Sequence, residues 1–224
     1  MSEMCQQEYV KYARYTNPMA FLKELYDHYQ YEGAPRASAA SAETTLGEYL
    51  YDEDYATKYI KLTPKPHDHE HKYTLIWLHG LGDTAHGYMD LFTSKELKLV
   101  PSNCKIVLPT APVRAVTFNN GQKMTSWYNI KERFDPNKEE TLTLDQYRRK
   151  NYSQKQIRES VRIIHEIIEE EVAILGGDYK RIYLGGFSQG CVIALASFLL
   201  YPDEQLGGVV GLSGAHKAIN PELQ

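Results

Sequence analysis

The spacing of apolar residues predicts alternating strands and helices through the later part of the chain. Residues 72–78 form a mostly apolar run, which is typical of a strand buried on both faces. Shorter runs at 105–108, 182–184 and 209–212 predict further strands. A helix capped by Ser153 is predicted before the run at 182–184, because apolar residues recur on one helical face. The members of that face are Ile157, Val161, Ile164, Ile168, Val172 and Leu175. The alternation indicates an α/β fold with a mostly parallel sheet and helices on both faces.

Two further segments have weaker patterns. Residues 89–99 show helical spacing, so a helix is predicted there. Residues 134–151 are charged and irregular, and we interpret them as a surface insertion.

Residues 1–56 differ in composition from the rest of the chain. They hold four basic against ten acidic residues, and nine of the chain's 18 tyrosines. Asn17 and Pro18 predict the start of a short amphipathic helix, and residues 37–42 form a small-residue linker. We therefore expect an acidic, tyrosine-rich, partly helical N-terminal extension over 1–56 and a folded domain over 57–224. The extension is either a docking segment for a protein partner, since tyrosine supplies contact area, or a tail packed loosely on its own domain.

Composition narrows the class of protein. With 42% hydrophobic residues in 224, the chain can bury a sizeable core, and a formal charge of −4 without a basic stripe argues against nucleic acid as a partner. No apolar run reaches the roughly 20 residues of a transmembrane helix. Three widely separated cysteines, Cys5, Cys104 and Cys191, argue against a disulfide framework and favour a cytoplasmic location.

A short histidine run raises the question of a metal site. His67, His69 and His71 alternate, so on a strand they would share one face and could bind zinc or copper. The run follows Pro64 and Pro66 and directly precedes a predicted strand, where polar turn residues are expected. We therefore expect no metal site there.

The strongest chemical signal is a serine between a predicted strand and a predicted helix. Ser188 is flanked at minus two and plus two by Gly186 and Gly190, and a long apolar run follows. This spacing is typical of a nucleophile turn, in which the serine is strained and neighbouring backbone passes too close for a β-carbon. Ser188 would then be a nucleophile at the strand tip, and the N–H of Gln189 would be free to bind an oxyanion. The alternative is a glycine-rich connection without chemistry.

A second glycine-broken loop follows the predicted strand at 72–78. In residues 79–84, the N–H of Leu81 is the expected second oxyanion donor. His79 precedes the serine in the chain, so we expect it to brace the turn by hydrogen bonding rather than to act as a base. Further along, Trp127 is either core filler or the wall of an apolar pocket, and composition alone favours the core.

Five short sequence motifs, which include the two glycine-containing loops, occur in a recognisable order along the chain. They are residues 79–84, 111–114 (APVR), 124–128 (MTSWY), 185–190 (GGFSQG) and 206–214 (LGGVVGLSG). In this order and approximate spacing they resemble the acyl-protein thioesterase and lysophospholipase-like carboxylesterase family of α/β hydrolases, over roughly residues 57–220.

The resemblance implies an α/β-hydrolase sheet and a serine hydrolase that cleaves acyl thioesters or carboxylic esters without a cofactor. It further implies that Ser188 is the nucleophile and that the N–H groups of Leu81 and Gln189 form the oxyanion hole. It also favours Trp127 as part of the wall of an acyl pocket.

The chain departs from that family after Ser188. In α/β hydrolases an acid and then a histidine follow the serine. The only acids and histidine after Ser188 are Asp203, Glu204, Glu222 and His216. Asp203 lies beyond the far end of the predicted helix, and His216 does not occupy the family's base position.

We therefore expect a C-terminally incomplete α/β-hydrolase fold, for which two explanations remain open. Either the chain is part of a longer polypeptide whose later strands carry the acid and base, or it is a catalytically inactive, hydrolase-like subunit with a structural or docking role in a larger assembly. In both cases the sheet would end in an apolar edge near Leu212, which we expect another chain or further residues to cover.

Overall fold

The computed structural model describes residues 44–66, 70–94, 96–132, 142–202, 204–214 and 218–219, all within the unit Glu43–Gln224. Several sequence predictions fall outside these residues. They are the helix starting at Asn17, the linker at 37–42, and the roles considered for His67, His69, Asp203, His216 and Glu222.

The described residues contain nine strands and four α-helices. The strands are β1 (Thr44–Leu46), β2 (Tyr49–Asp54), β3 (Tyr59–Pro64), β4 (Tyr73–Leu78), β5 (Cys104–Leu108), β6 (Val113–Val116), β7 (Gln122–Thr125), β8 (Ile182–Phe187) and β9 (Gly208–Leu212). The helices are α1 (Met89–Thr93), α2 (Leu144–Asn151), α3 (Gln154–Ile174) and α4 (Gln189–Leu199). None of the helices in the described ranges is long and apolar enough to cross a membrane.

Seven of the described strands form one mixed sheet in the order β1-β2-β3-β5-β4-β8-β9. Strands β5, β4, β8 and β9 are parallel, whereas β1, β2, β3 and β5 pair antiparallel. The carboxyl ends of β4, β8 and β9 therefore meet at one edge of the sheet, where α/β folds place their ligands. Strands β6 and β7 form a separate hairpin.

Strands β1 and β2 lie within the segment that composition assigned to the extension. β2 pairs with β3 along its whole length, from Tyr49 opposite Pro64 to Asp54 opposite Tyr59. Its charged residues are tolerated because outward-facing positions of a strand remain in contact with water. The sheet thus begins before residue 57, and a division of the chain near residue 56 stays a prediction.

Apolar side chains cover both faces of the sheet, as predicted from the alternation of strands and helices along the chain. On β4, Ile76 and Leu78 point to a core built with α3 and α4, whereas Trp77 points to the opposite face. There the Trp77 ring packs edge to face on Phe92 of α1, with ring centres 5.6 Å apart. Helix α3 begins as expected, because the Ser153 side chain accepts a hydrogen bond from the N–H of Gln156.

The prediction of an irregular insertion over 134–151 is wrong for its last part, which is helix α2. Thr143 and Gln146 form a capping box, in which each side chain binds the other residue's backbone N–H. Tyr147 and Asn151 are buried, so α2 belongs to the folded core. Residues 133–141 lie outside the described part of the chain.

Strand β9 stands at one end of the strand order and carries exposed apolar side chains. Val210 is 56% and Leu212 is 44% exposed. The apolar edge expected near Leu212 is therefore present in the described residues. That a protein partner covers it stays a prediction.

A buried charge pair lies near the amino ends of the central strands. The Lys105 Nζ on β5 is 2.6 Å from the Glu171 Oε1 on α3, and the two side chains are 7% and 0% exposed. The Thr74 hydroxyl on β4 donates to the other oxygen of Glu171 at 3.2 Å. Because both charges are removed from water, each depends on the other for its solvation.

We expect the Lys105→Met variant to lose about 3–5 kcal/mol of unfolding free energy, because Glu171 would keep a buried charge without its cation. Urea denaturation measures this loss. The double variant Lys105→Met with Glu171→Leu is the matched control, and it should lie closer to the wild type because no charge stays buried. A single variant within about 1 kcal/mol of the wild type would contradict this account of the buried pair.

Candidate functional site

Ser188 lies at the tip between β8 and α4, in a strained backbone conformation. Its φ is 53° and its ψ is −114°, a region that residues with a β-carbon rarely adopt. The N–H of Ser188 donates to the carbonyl oxygen of Leu212 at 2.8 Å, which fixes the turn to the end of β9. The strained serine predicted from the sequence is confirmed.

The two glycines around Ser188 are required by close backbone contacts. A β-carbon on Gly186 would lie 2.6 Å from the carbonyl oxygen of Gly190. A β-carbon on Gly190 would lie 2.2 Å from the carbonyl oxygen of Leu78 and 2.5 Å from that of His79. The minus two and plus two spacing therefore allows the first turn of α4 to pack directly on the end of β4.

His79 braces the loop after β4, as expected. Its ring is buried, its Nε2 accepts the N–H of Ala111 at 2.9 Å, and its Nδ1 is 2.6 Å from the carbonyl oxygen of Gly80. Since Nε2 accepts, Nδ1 carries the hydrogen and donates it to Gly80. Burial lowers the pKa of His79, which keeps the ring neutral. With both ring nitrogens engaged, His79 has no free position for proton transfer to Ser188.

The pKa values of three histidines are lowered in the folded chain, and this predicts how stability depends on pH. Burial lowers the pKa of His71, His79 and His165 in the folded chain. Below the ordinary histidine pKa of about 6.5, the unfolded chain therefore binds more protons than the folded chain. We expect the unfolding free energy to fall as the pH falls from 7 towards 5.5, by at most about 1.4 kcal/mol per pH unit for a fully buried ring such as His79. The loss ends once the pH has passed the folded-state pKa values.

Urea denaturation at several pH values between 5.5 and 7 measures this slope. The His79→Gln variant should show a shallower slope than the wild type, because it lacks one neutral buried ring. Equal slopes in the two proteins would contradict the account of His79.

The backbone N–H of Leu81 lies in the loop after β4, and that of Gln189 belongs to the first residue of α4, directly after Ser188. Parallel pairing places Leu78 opposite Gly186, so the loop after β4 and the turn after β8 are adjacent. A β-carbon built on Gly80 would be 3.6 Å from the β-carbon of Ser188. Within the described ranges, neither N–H has a hydrogen-bond partner. Two backbone donors are thus free beside the serine.

Gln189 is 3% exposed, and its side chain binds the segment that follows β7. Its Oε1 accepts the N–H of Trp127 at 2.8 Å, and its Nε2 donates to the carbonyl oxygen of Tyr128 at 2.6 Å. The hydroxyl of Ser126 contacts both amide atoms, at 3.3 and 3.2 Å. Helix α4 is therefore tied at its first residue to the segment that follows β7.

Trp127 lies in the core and does not reach the surface of a pocket. It has no exposed area, and its ring packs on His79 with ring centres 5.3 Å apart. Its Nε1 donates to the carbonyl oxygen of His79 at 2.9 Å. The resemblance favoured an acyl-pocket wall, but a side chain enclosed on all sides offers no area to a ligand. The core position that composition favoured is the one observed.

A polar brace of the loop after β4 was missed from the sequence. The N–H of Gly82 donates to the carbonyl oxygen of Thr125 at 2.9 Å. The Thr125 hydroxyl donates to the carbonyl oxygen of Asp83 at 2.6 Å, and the N–H of Ala85 donates to the Thr110 hydroxyl at 3.0 Å. No local signal marks Thr125 or Thr110, because their partners lie far away in sequence.

The described residues do not provide an acid and a base for Ser188. No described side chain hydrogen-bonds to the Ser188 hydroxyl, and Glu204 is exposed beyond the far end of α4. Asp203, His216 and Glu222 are outside the described ranges. No group of three or more His, Cys, Asp or Glu residues within those ranges is placed to hold a metal ion.

Comparison with known proteins gives consistent matches. The sequence model of a family described as Phospholipase/Carboxylesterase matches residues 64–222. The acyl-protein thioesterase 1 of Yarrowia lipolytica is 39% identical over 144 residues, which are 64% of this chain and 57% of that protein. The carboxylesterase SOBER1 of Arabidopsis thaliana is 36% identical over 143 residues, or 62% and 55% of the two chains.

A solved structure agrees with these matches. The crystal structure of Arabidopsis thaliana SOBER1 superimposes with a TM-score of 0.51 at 35% identity, and it covers 63% of this chain and 61% of that chain. The chain thus spans little more than half of the length of the curated relatives it matches.

Proposed function

Because the chain belongs to the phospholipase/carboxylesterase family of α/β hydrolases, we propose that it hydrolyses acyl esters or acyl thioesters with Ser188 as the nucleophile. The observation that carries this proposal is the backbone of Ser188. A φ of 53° at a residue with a β-carbon is unfavourable, and such strain is concentrated at functional sites. The turn holds the hydroxyl at the tip of β8, where a substrate carbonyl can approach.

In the proposed reaction, the Ser188 hydroxyl oxygen attacks the acyl carbonyl carbon and its proton passes to a general base. The carbonyl oxygen becomes an oxyanion, which the N–H groups of Leu81 and Gln189 stabilise by hydrogen bonds. Collapse of this intermediate expels an alcohol or a thiol, which takes up a proton. Water then attacks the acyl-serine ester and releases the carboxylic acid and the free Ser188 hydroxyl.

We assign the general base and its acid to residues that are not among those described. His79 is unsuitable, because its two ring nitrogens bind Ala111 and Gly80. The proposed role of the Leu81 and Gln189 N–H groups needs no proton transfer. Their contribution is electrostatic, and each donor of this kind typically changes turnover by about 10²–10³-fold.

The names of the relatives support the proposed substrate class. Those compared are named as acyl-protein thioesterases and as a carboxylesterase, so an acyl group on sulfur or oxygen is the proposed substrate. Release of thiol from an acyl thioester and of nitrophenol from a nitrophenyl ester, measured side by side on the full-length natural polypeptide, tests this proposal. Turnover of either compound supports it, whereas turnover of neither overturns it.

We further propose that the protein acts in the cytoplasm. Cys104 and Cys191 are free and buried within the described domain, and free thiols are typical of a reducing compartment. Tracking a tagged full-length polypeptide in cells tests this location.

A further inference from the structure

We propose that residues 125–128 form a strap that sets the spacing between the two donors of the oxyanion hole. In this proposal, Thr125 and the Gln189 side chain are positioning residues. The inference rests on the proposed function, since it concerns the hole formed by the N–H groups of Leu81 and Gln189. The inference explains how the two N–H groups are aligned with each other. Neither the loop after β4 nor the start of α4 could fix that alignment alone.

At one end, the strap holds the loop that carries Leu81. Thr125 binds this loop twice, through its carbonyl oxygen to the N–H of Gly82 at 2.9 Å and through its hydroxyl to the carbonyl oxygen of Asp83 at 2.6 Å. Gly82 has a φ of 81°, so the backbone there is free to adopt conformations closed to other residues. Two bonds on either side of a permissive glycine fix the direction of the preceding N–H, which is that of Leu81.

At the other end, the strap holds Gln189 through its side chain. The buried amide uses an acceptor toward the N–H of Trp127 and a donor toward the carbonyl oxygen of Tyr128. A carboxamide supplies both functions at once, whereas an ionised carboxylate of the same length can only accept. Because the same residue carries the second oxyanion donor on its backbone, anchoring its side chain also anchors that N–H.

The strap is itself rigid. The indole of Trp127 donates to the carbonyl oxygen of His79 at 2.9 Å, and the Ser160 hydroxyl of α3 donates to the carbonyl oxygen of Trp127 at 2.5 Å. Ser126, Trp127 and Tyr128 are buried. Residues 125–128 thus connect the Leu81 loop, the start of α4 and the long helix α3. Donors that stabilise an oxyanion must be held to within about 0.5 Å, which such cross-links can achieve.

Two substitutions of Thr125 distinguish a role of its hydroxyl in positioning the loop from a role of its side chain in packing. Thr125→Val keeps the side-chain shape and removes the hydroxyl, whereas Thr125→Ser keeps the hydroxyl. In the full-length natural polypeptide, we expect Thr125→Val to lower kcat for a nitrophenyl ester about tenfold, with KM changed less than twofold. Thr125→Ser should restore kcat to within about twofold of the wild type.

Hydrogen exchange of the Gly82 amide gives a readout that does not depend on turnover. It should be faster in Thr125→Val than in Thr125→Ser, because the loop loses one of its two bonds to the strap. A Thr125→Val enzyme with wild-type kcat would overturn the inference, and so would an equal loss of kcat in both variants. Absence of turnover in the wild type would overturn the proposed function and this inference with it, so the two failures are distinguishable.

Discussion

Ser188→Ala is expected to lower ester and thioester turnover by at least about 10⁴-fold while leaving the chain folded. The reaction proposed for this site proceeds through an acyl-serine, and alanine has no oxygen to form it. The proposed oxyanion donors, the N–H groups of Leu81 and Gln189, stay in place, so a small residual rate over water should persist. Steady-state kinetics on the full-length natural polypeptide measures the loss.

Two controls make this result specific. Stability should change little, because the Ser188 side chain makes no cap hydrogen bond at the start of α4. Ser102→Ala removes the same group from an exposed turn and should keep wild-type turnover. Turnover of Ser188→Ala within tenfold of the wild type would rule out Ser188 as the nucleophile.

Gly190→Ala is expected to have the largest effect on folding of any single methyl group added near the site. The new β-carbon would meet the carbonyl oxygens of Leu78 and His79 at 2.2 and 2.5 Å. Both are backbone atoms at the end of a buried strand, so neither can move aside without distorting the sheet. We expect a loss of more than about 4 kcal/mol in unfolding free energy, together with loss of turnover.

Gly208→Ala is the matched control for this effect. Gly208 lies on the edge strand β9, and its added β-carbon would approach only the Tyr183 ring, at 3.4 Å. Urea denaturation of both variants should show a large loss for Gly190→Ala and little change for Gly208→Ala. If Gly190→Ala does not fold at all and only Gly208→Ala is recovered as folded protein, the prediction is also met. Equal stabilities of the two variants would contradict the close packing of α4 on β4.

The parts of the fold that were predicted from sequence have local signals. The apolar runs gave β4, β8 and β9, and the helical face from Ile157 to Leu175 gave α3 with its Ser153 cap. The turn at Ser188 was predictable for the same reason. Its glycines lie two residues away on either side, a spacing that is visible in the sequence, although the clashes that require Gly190 involve the end of β4.

Elements without a clear apolar period were missed. Strand β2 ends in Asp52, Glu53 and Asp54, whose charge suggested a solvated extension, although an edge region of a sheet tolerates such residues on its outer face. Helix α2 was missed because its charged composition outweighed the capping box of Thr143 and Gln146. Residues 89–99 gave only the short helix α1, which ends at Thr93.

The alignment of the site could not be predicted, because it depends on distant pairs. Thr125 and Asp83 are 42 residues apart in sequence, and Trp127 and Gln189 are 62 apart. A single sequence predicts that Gln189 is a donor through its backbone N–H, but it does not show where the amide side chain binds. For Trp127, likewise, the sequence left a pocket and the core as alternatives, and the complete burial of the side chain decided between them.

The central claim is that Ser188 is the nucleophile of an acyl hydrolase, and covalent labelling tests it most directly. The full-length natural polypeptide is treated with a fluorophosphonate, digested, and mapped by mass spectrometry. The account predicts one adduct on Ser188, loss of hydrolysis in proportion to labelling, and no adduct in Ser188→Ala. An adduct on another residue that tracks the loss of hydrolysis, or full hydrolysis with Ser188 labelled, would contradict the account.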